Sequence, residues 1–176
     1  MKRSDIKQMP EYFEKYIRQI EDIELDDAFQ NNIDKLSALD LALLESLGSK
    51  AYAPGKWSVK DIFQHIIDTE RVMTYRTLRY ARRDGVVPQG YDENLFTVNA
   101  NAQQRQLKDL IEETKQLHQA SRLMFRSFDD ETLQATGINW NKEMSVLAMG
   151  FLITGHLVHH LAAIGEKYLP LLHETA

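Results

Sequence analysis

The sequence has 176 residues, a length that fits one domain, and we expect a single domain over residues 1–176. Its 43% hydrophobic and 27% charged residues are typical of soluble globular proteins and exclude a disordered chain. The formal net charge of −5 argues against a nucleic acid or an anionic membrane as partner, and the absence of cysteine excludes disulfides, thiolate metal sites and cysteine nucleophiles. We therefore expect a cytoplasmic protein in which any metal ion is bound by His, Asp or Glu.

Helical periodicity dominates the first half of the chain. A short helix is predicted over about Pro10–Ile20 and a long one over about Asp27–Leu47, because apolar residues recur at three- and four-residue spacings in both segments. A second long helix is predicted over about Ser58–Arg83, where the serine begins a weak form of the capping box. Residues 84–99 are predicted to form a loop.

The second half of the chain continues the helical pattern. A third long helix is predicted over about Asn101–Phe128, a short turn over Glu131–Ala135, and a loop or small hairpin over Gly137–Glu143. Ser145 can cap a last long helix that ends near Leu169, because a proline follows. Four long helices with apolar stripes, joined by short to medium loops, predict an all-α fold, a four-helix bundle.

One segment raises the question of a membrane span. Met144–Gly165 contains no Asp, Glu, Lys or Arg and is long enough to cross a bilayer. We disfavour that interpretation because His156, His159 and His160 lie within the segment, and polar groups in hydrocarbon are costly. A helix buried inside a bundle explains the same composition.

Three histidines are candidates for metal ligands. His156 and His160 stand at positions i and i+4 of one predicted helix, so they lie on the same face and can converge on one ion, whereas His159 lies to the other side. The pair alone is an incomplete site. His65, beside core-facing isoleucines of the second long helix, is the best candidate for a third ligand, although a core-edge histidine bonded to a neighbour fits the same pattern. Three neutral imidazoles with an open coordination position would suit a catalytic divalent ion.

Several other polar residues are candidates for supporting roles. Asp68 and Glu70 lie about one turn beyond the histidine of the second long helix and can accept ring N–H groups, and Glu70 can act as a general base. A solvated face with ion pairs explains them equally simply. Arg76 and Arg79 share a helix face and can bind an anion, but a solvated basic face is the more common arrangement. His118 can be a fourth ligand or can orient another, while its position is more typical of a partly exposed helix histidine.

Three segments resemble a known family. They are YAPGKWSVKD at residues 52–61, HIIDTER at residues 65–71 and GHLVHHL at residues 155–161. In order and spacing, nearly the whole chain resembles the DinB-like (DinB/YfiT) metalloenzymes. The resemblance implies a four-helix bundle, a homodimer, a divalent ion that is usually Zn or Ni, and an accessory role for His159. The metal ligands that it implies are His65, His156 and His160.

The resemblance and the residues together leave three functional hypotheses. Some relatives use the metal ion to activate a low-molecular-weight thiol, so we favour a thiol-dependent S-transferase that acts on an electrophilic small molecule, with Arg76 or Arg79 binding the acidic part of the thiol. A hydrolase in which Glu70 or Asp68 handles protons at a metal-bound water is the alternative. A non-catalytic, stress-related metal-binding dimer is the third.

Overall fold

The structure is a computed structural model that describes residues 1–173. These residues contain eight α-helices and one β-hairpin. In chain order they are α1 (Glu14–Ile17), α2 (Leu25–Ser37), α3 (Leu41–Ser46), α4 (Val59–Ala81), α5 (Glu93–Asn99), α6 (Leu107–Arg126), α7 (Asp130–Leu133), β1 (Thr136–Asn139), β2 (Lys142–Ser145) and α8 (Val146–Ala163). Helices α2 and α4 each pack against both α6 and α8. The prediction of a helical protein built on a four-helix bundle is therefore confirmed.

Helix α4 begins where its capping residues dictate. The Ser58 hydroxyl accepts a hydrogen bond from the backbone N–H of Asp61 at 3.3 Å, and the Asp61 carboxylate accepts from the backbone N–H of Ser58 at 2.9 Å. This reciprocal pair satisfies two N–H groups that a helix start leaves without partners. The capping box predicted from the sequence is confirmed, and it sets the register that turns His65 toward the interior.

The long helix predicted over residues 27–47 is wrong, because the chain forms two helices there. Helix α2 ends at Ser37, and Asp40 starts α3 by accepting a hydrogen bond from the backbone N–H of Leu43 at 3.0 Å. An aspartate side chain at a helix start competes with continuation of the preceding helix. The apolar spacing continues through the break, which is why periodicity did not indicate it.

Three other predicted boundaries are corrected in the same way. The predicted loop contains α5, because the Asp92 carboxylate accepts from the backbone N–H groups of Asn94 and Leu95. Helix α6 begins only at Leu107, since Asn101 adopts a left-handed φ of 52° that a right-handed helix cannot include. Within the predicted helix over residues 10–20, only α1 is α-helical.

Helix α8 lies at the centre of the protein. All ten residues from Val146 to Gly155 are buried, and the helix contacts α1, α2 and α4. By length and composition, Val146–Leu172 could cross a membrane, yet 61% of its most apolar window is buried inside the protein. Burial in the core thus accounts for the absence of charge. After Ala163 the chain continues as a π-helical turn, Ile164–Tyr168, and a 3-10 turn, Leu169–Leu172.

Candidate metal centre

The structure brings together the rings of His65 from α4 and of His156 and His160 from α8. The Nε2 atom of His156 lies 3.1 Å from that of His65 and 3.0 Å from that of His160. Each ring offers one ligand nitrogen, and the three nitrogens all lie within 4.8 Å of one another. Because α4 and α8 pack against each other here, His65 meets the i, i+4 pair of α8 although it precedes His156 by 91 positions in the sequence.

The cluster fits a divalent metal ion in its chemistry and its size. A tetrahedral zinc ion with bonds of about 2.0–2.1 Å separates its ligand atoms by roughly 3.3 Å, close to the two shorter nitrogen separations here. Imidazole nitrogen is a preferred ligand of zinc and nickel. Three converging nitrogens cannot all be satisfied by hydrogen bonds to one another, whereas a cation among them satisfies every lone pair.

Burial lowers the pKa of all three imidazoles. It lowers the pKa of His65 to about 4 and that of His160 to about 3, and the pKa of His156 lies well below its ordinary value. The neighbouring rings disfavour a second positive charge and lower the pKa of His156 and His160 further. The rings are therefore neutral at pH 7, the state in which imidazole binds metal.

These lowered pKa values predict how the stability of the metal-free protein depends on pH. An unfolded His65 takes up a proton near pH 6.5, whereas the folded one does so only near pH 4. The unfolded state therefore binds more protons between these values, and the free energy of unfolding falls as the pH falls from 6.5 to 4, by about 3 kcal/mol from this residue.

Chemical denaturation of chelator-treated protein across this pH range measures the effect. We expect a shallower decline in His65→Gln, which lacks the titrating ring. Parallel curves for the two proteins would contradict the prediction.

Neighbouring side chains hold the ligand rings in place. The Thr69 hydroxyl lies 3.4 Å from Nδ1 of His65 and 2.9 Å from the phenol oxygen of Tyr91. A proton on Nδ1 that points to Thr69 leaves the lone pair on Nε2, the atom that faces the other histidines. The ring of Trp57 packs on His65 with centroids 4.6 Å apart, and Tyr16 packs on His156 at 5.6 Å.

A cavity of about 240 Å³ lies against the three histidines. Two carboxylates, Glu70 and Glu93, line it, and among the described residues no lysine or arginine does. Burial raises the pKa of Glu93. Five aromatic side chains form much of the wall: Tyr12, Phe13, Tyr16, Trp57 and Trp140.

Glu70 is anchored in a buried polar network. Its Oε2 accepts a hydrogen bond from Nδ1 of His118 at 2.9 Å, and its Oε1 accepts one from the Ser121 hydroxyl at 2.6 Å. The Asn32 amide nitrogen lies 3.3 Å from Nε2 of His118, on the side of the ring opposite Glu70. The Glu70 carboxylate, held by two buried donors, also lines the cavity.

The prediction of a partly exposed His118 is wrong. Its side chain is 0% exposed, and Phe29 of α2 packs on the ring with centroids 4.7 Å apart. The sequence placed His118 on the inward side of its helix, but the burial comes from α2 and α4, which cover that side. His118 supports Glu70, and it is not among the clustered ligand nitrogens.

The other candidate residues do not belong to the cluster, although the ring of His159 packs against that of His160 with centroids 5.2 Å apart. Asp68 accepts from Gln64 at 3.0 Å, and burial raises its pKa, but it does not line the cavity. Arg76 is buried and bound to the hairpin, and Arg79 pairs with Asp84 at 2.5 Å on the surface. The Nδ1 atom of His159 lies 3.2 Å from the Gln19 amide, outside the cluster.

A second, more open groove borders one of the three histidines, His160. It encloses about 300 Å³ and shares Trp57 and His160 with the aromatic cavity. Lys56 and Lys167 line it, and the ammonium of Lys167 lies 5.1 Å from the ring centroid of Tyr52. Lys56 lies in the segment at residues 52–61 that carries the family resemblance, but no role was predicted from the sequence for it or for Lys167.

Comparisons with known proteins agree with this architecture. The family model of the DinB superfamily matches residues 6–164. The solved structure of YfiT from Bacillus subtilis, described as a probable metal-dependent hydrolase with an unusual four-helix bundle topology, aligns with a TM-score of 0.68 and 16% identity, covering 94% of this chain and 90% of that chain. At this identity the likeness shows the fold. No curated protein matches the chain.

Proposed function

The chain belongs to the DinB superfamily, and on that premise we propose that it is a divalent-metal-dependent enzyme that transfers a low-molecular-weight thiol to an electrophilic small molecule. One observation carries the proposal: the aromatic cavity, which carboxylates line, and the groove, which lysines line, share His160 and Trp57 in their walls. The aromatic cavity suits an apolar substrate, and the groove with Lys56 and Lys167 suits an acidic one. A reaction between two substrates needs such an arrangement.

The chain's own residues supply most of the proposed mechanism. His65, His156 and His160 would hold Zn or Ni, and such an ion lowers the pKa of a thiol or a water at its open position. Glu70 accepts the thiol proton, because its carboxylate lines the same cavity as the three histidines. The sulfur then forms a bond to the electrophilic carbon, and the leaving group departs with its bonding electrons.

The lysines take the role that the sequence suggested for two arginines. Arg76 donates hydrogen bonds to the Asn139 side chain and to the carbonyl of Gln89, and Arg79 is paired with Asp84. Lys56 and Lys167 line the groove and form no ion pair among the described residues. They therefore suit the carboxylates of an acidic thiol.

A metal-dependent hydrolase is the second candidate. Glu70 and Glu93 both line the cavity, so a base for water is present on the same side as the histidines. The description of YfiT as a probable metal-dependent hydrolase favours the same chemistry. The homodimer and the cytoplasmic location remain predictions.

Turnover by zinc-loaded protein separates these functions. We expect metal-dependent consumption of 1-chloro-2,4-dinitrobenzene with glutathione or cysteine, and a rate lower by about 10²–10³-fold in Glu70→Gln, which cannot accept the proton. Glu131→Gln makes the same charge change at a side chain that is 78% exposed and should leave the rate unchanged.

Two results would contradict the transferase. No metal-dependent rate with any thiol would remove it, and metal-dependent cleavage of a nitrophenyl ester that Glu70→Gln abolishes would establish the hydrolase instead. Stoichiometric zinc without either activity would favour the non-catalytic dimer.

A further inference from the structure

Trp140 adopts a backbone conformation that its residue type disfavours. It occupies the hairpin turn between β1 and β2 with φ of 51°, and the next residue, Asn141, has φ of 59°. Two consecutive left-handed residues form a type I′ turn, for which Asn-Gly and Asp-Gly are the favoured pairs. A bulky side chain at positive φ is rare. The ring is also 51% exposed, so burial in the core does not explain why tryptophan stands here.

The ring closes one side of the aromatic cavity. Trp140 lines the cavity together with the metal-binding histidines, and it stacks on Tyr12 with centroids 6.1 Å apart and planes inclined by 15°. Tyr12 is itself 51% exposed. Two exposed aromatic rings therefore lie nearly parallel, and offset from each other, at the wall of the cavity.

Buried contacts fix the hairpin to the helix that carries His65. The guanidinium of Arg76, 2% exposed, donates to the Asn139 side chain at 2.6 Å and to the carbonyl of Gln89 at 2.8 Å. The phenol of Tyr80 donates to the carbonyl of Ile138 at 2.7 Å. Both anchors belong to α4, so the position of Trp140 relative to the three histidines is set by rigid structure.

The chemistry of the walls defines what the cavity can accept. Its aromatic faces favour stacking, and its two carboxylates disfavour an anion. Its volume of about 240 Å³ exceeds the roughly 150 Å³ of a cavity that binds benzene. A flat molecule with one or two rings and no negative charge matches these properties.

We propose that the cavity binds a flat aromatic molecule that carries no negative charge, and that Trp140 is the residue that selects it by stacking on its face. The inference rests on the proposed function in one respect, since it names the class of the electrophilic substrate. The test measures equilibrium binding to metal-free protein. Its result can therefore be interpreted even if the protein shows no turnover.

Calorimetric titration with 2-naphthol and with 2-naphthoate, at pH 7, tests the proposal. We expect 2-naphthol to bind at least about tenfold more tightly than the anion, and Trp140→Asn to weaken its binding by about tenfold or more. Trp140→Phe retains a flat face and should stay within about threefold of the natural protein. Tyr75→Asn removes an equally exposed aromatic ring (56%) outside the cavity and serves as the control.

The melting temperature of Trp140→Asn distinguishes a role of Trp140 in ligand selection from a role in stabilising the fold. Asparagine tolerates positive φ, so Trp140→Asn should keep or raise the Tm while it weakens binding. Unchanged binding in Trp140→Asn, equal binding of the two ligands, or a Tm that falls in proportion to the lost affinity would each overturn the proposal.

Discussion

Replacement of His156 by alanine is expected to remove the divalent ion from the protein. Its Nε2 atom lies between those of His65 and His160, 3.1 Å and 3.0 Å away, so the change removes the central ligand. The loss of a residue that merely orients a ligand weakens metal affinity by about 10–100-fold, and the loss of a ligand should exceed that. Elemental analysis should fall from about one zinc ion per chain to below about a tenth.

A matched control lies on the same helix. His159 is the adjacent histidine in this segment, but its ring contacts Gln19 and Tyr16 and is not one of the clustered ligands. His159→Ala should therefore keep its zinc, whereas His65→Ala should lose it as His156→Ala does. Equal zinc in all four proteins would exclude the three-histidine centre, and far-UV circular dichroism establishes that each variant is folded.

Replacement of Gly155 by alanine is expected to destabilise the protein strongly. An added Cβ would lie 2.1 Å from the carbonyl oxygen of Tyr16 and 2.6 Å from its carbonyl carbon. Backbone atoms cannot rotate aside as a side chain can, so α1 and α8 must separate. We expect the free energy of unfolding to fall by about 3 kcal/mol and the Tm by roughly 10 °C.

Two other glycines test the physical reason. Gly165 has nothing within 4 Å of the added Cβ and lacks a positive φ, so Gly165→Ala should be neutral or stabilising by up to about 1 kcal/mol. At Gly150 the nearest atom, 2.6 Å away, belongs to the flexible side chain of Leu25, and the effect should be intermediate. Equal melting temperatures for the Gly155 and Gly165 variants would contradict the close approach of the two backbones.

The helix starts that depend on capping by a nearby side chain were predicted best from the sequence. The capping pair at Ser58 and Asp61 began α4 where expected, and the Ser145 cap did the same for α8. In both cases an oxygen and an N–H two to three residues apart decide the outcome, and sequence contains both. The break at Asp40 was missed although it uses the same chemistry, because the apolar spacing on either side outweighed a single polar residue.

The supporting residues of the site were harder to predict. Glu70 was a candidate base, yet no pattern in the sequence indicated that His118 and Ser121, about fifty positions away, would donate to its two oxygens. For Arg76 the sequence left two interpretations open, an anion-binding residue or part of a solvated basic face, but the hairpin buries the side chain. Each error concerns a partner on another helix or loop, and the pattern of one segment contains no information about that partner.

The amino-acid sequence by itself indicated where α2, α4, α6 and α8 lie, although not every helix end, and it missed α5 and the break before α3. It also placed His156 and His160 one turn apart, because a helix fixes the separation of residues four positions apart. Only the tertiary structure decided that His65 meets them, that the Glu70 network lines the same cavity and that Trp140 forms part of its wall. Those distances depend on how helices cross and where loops return, and many side chains from distant segments set them together.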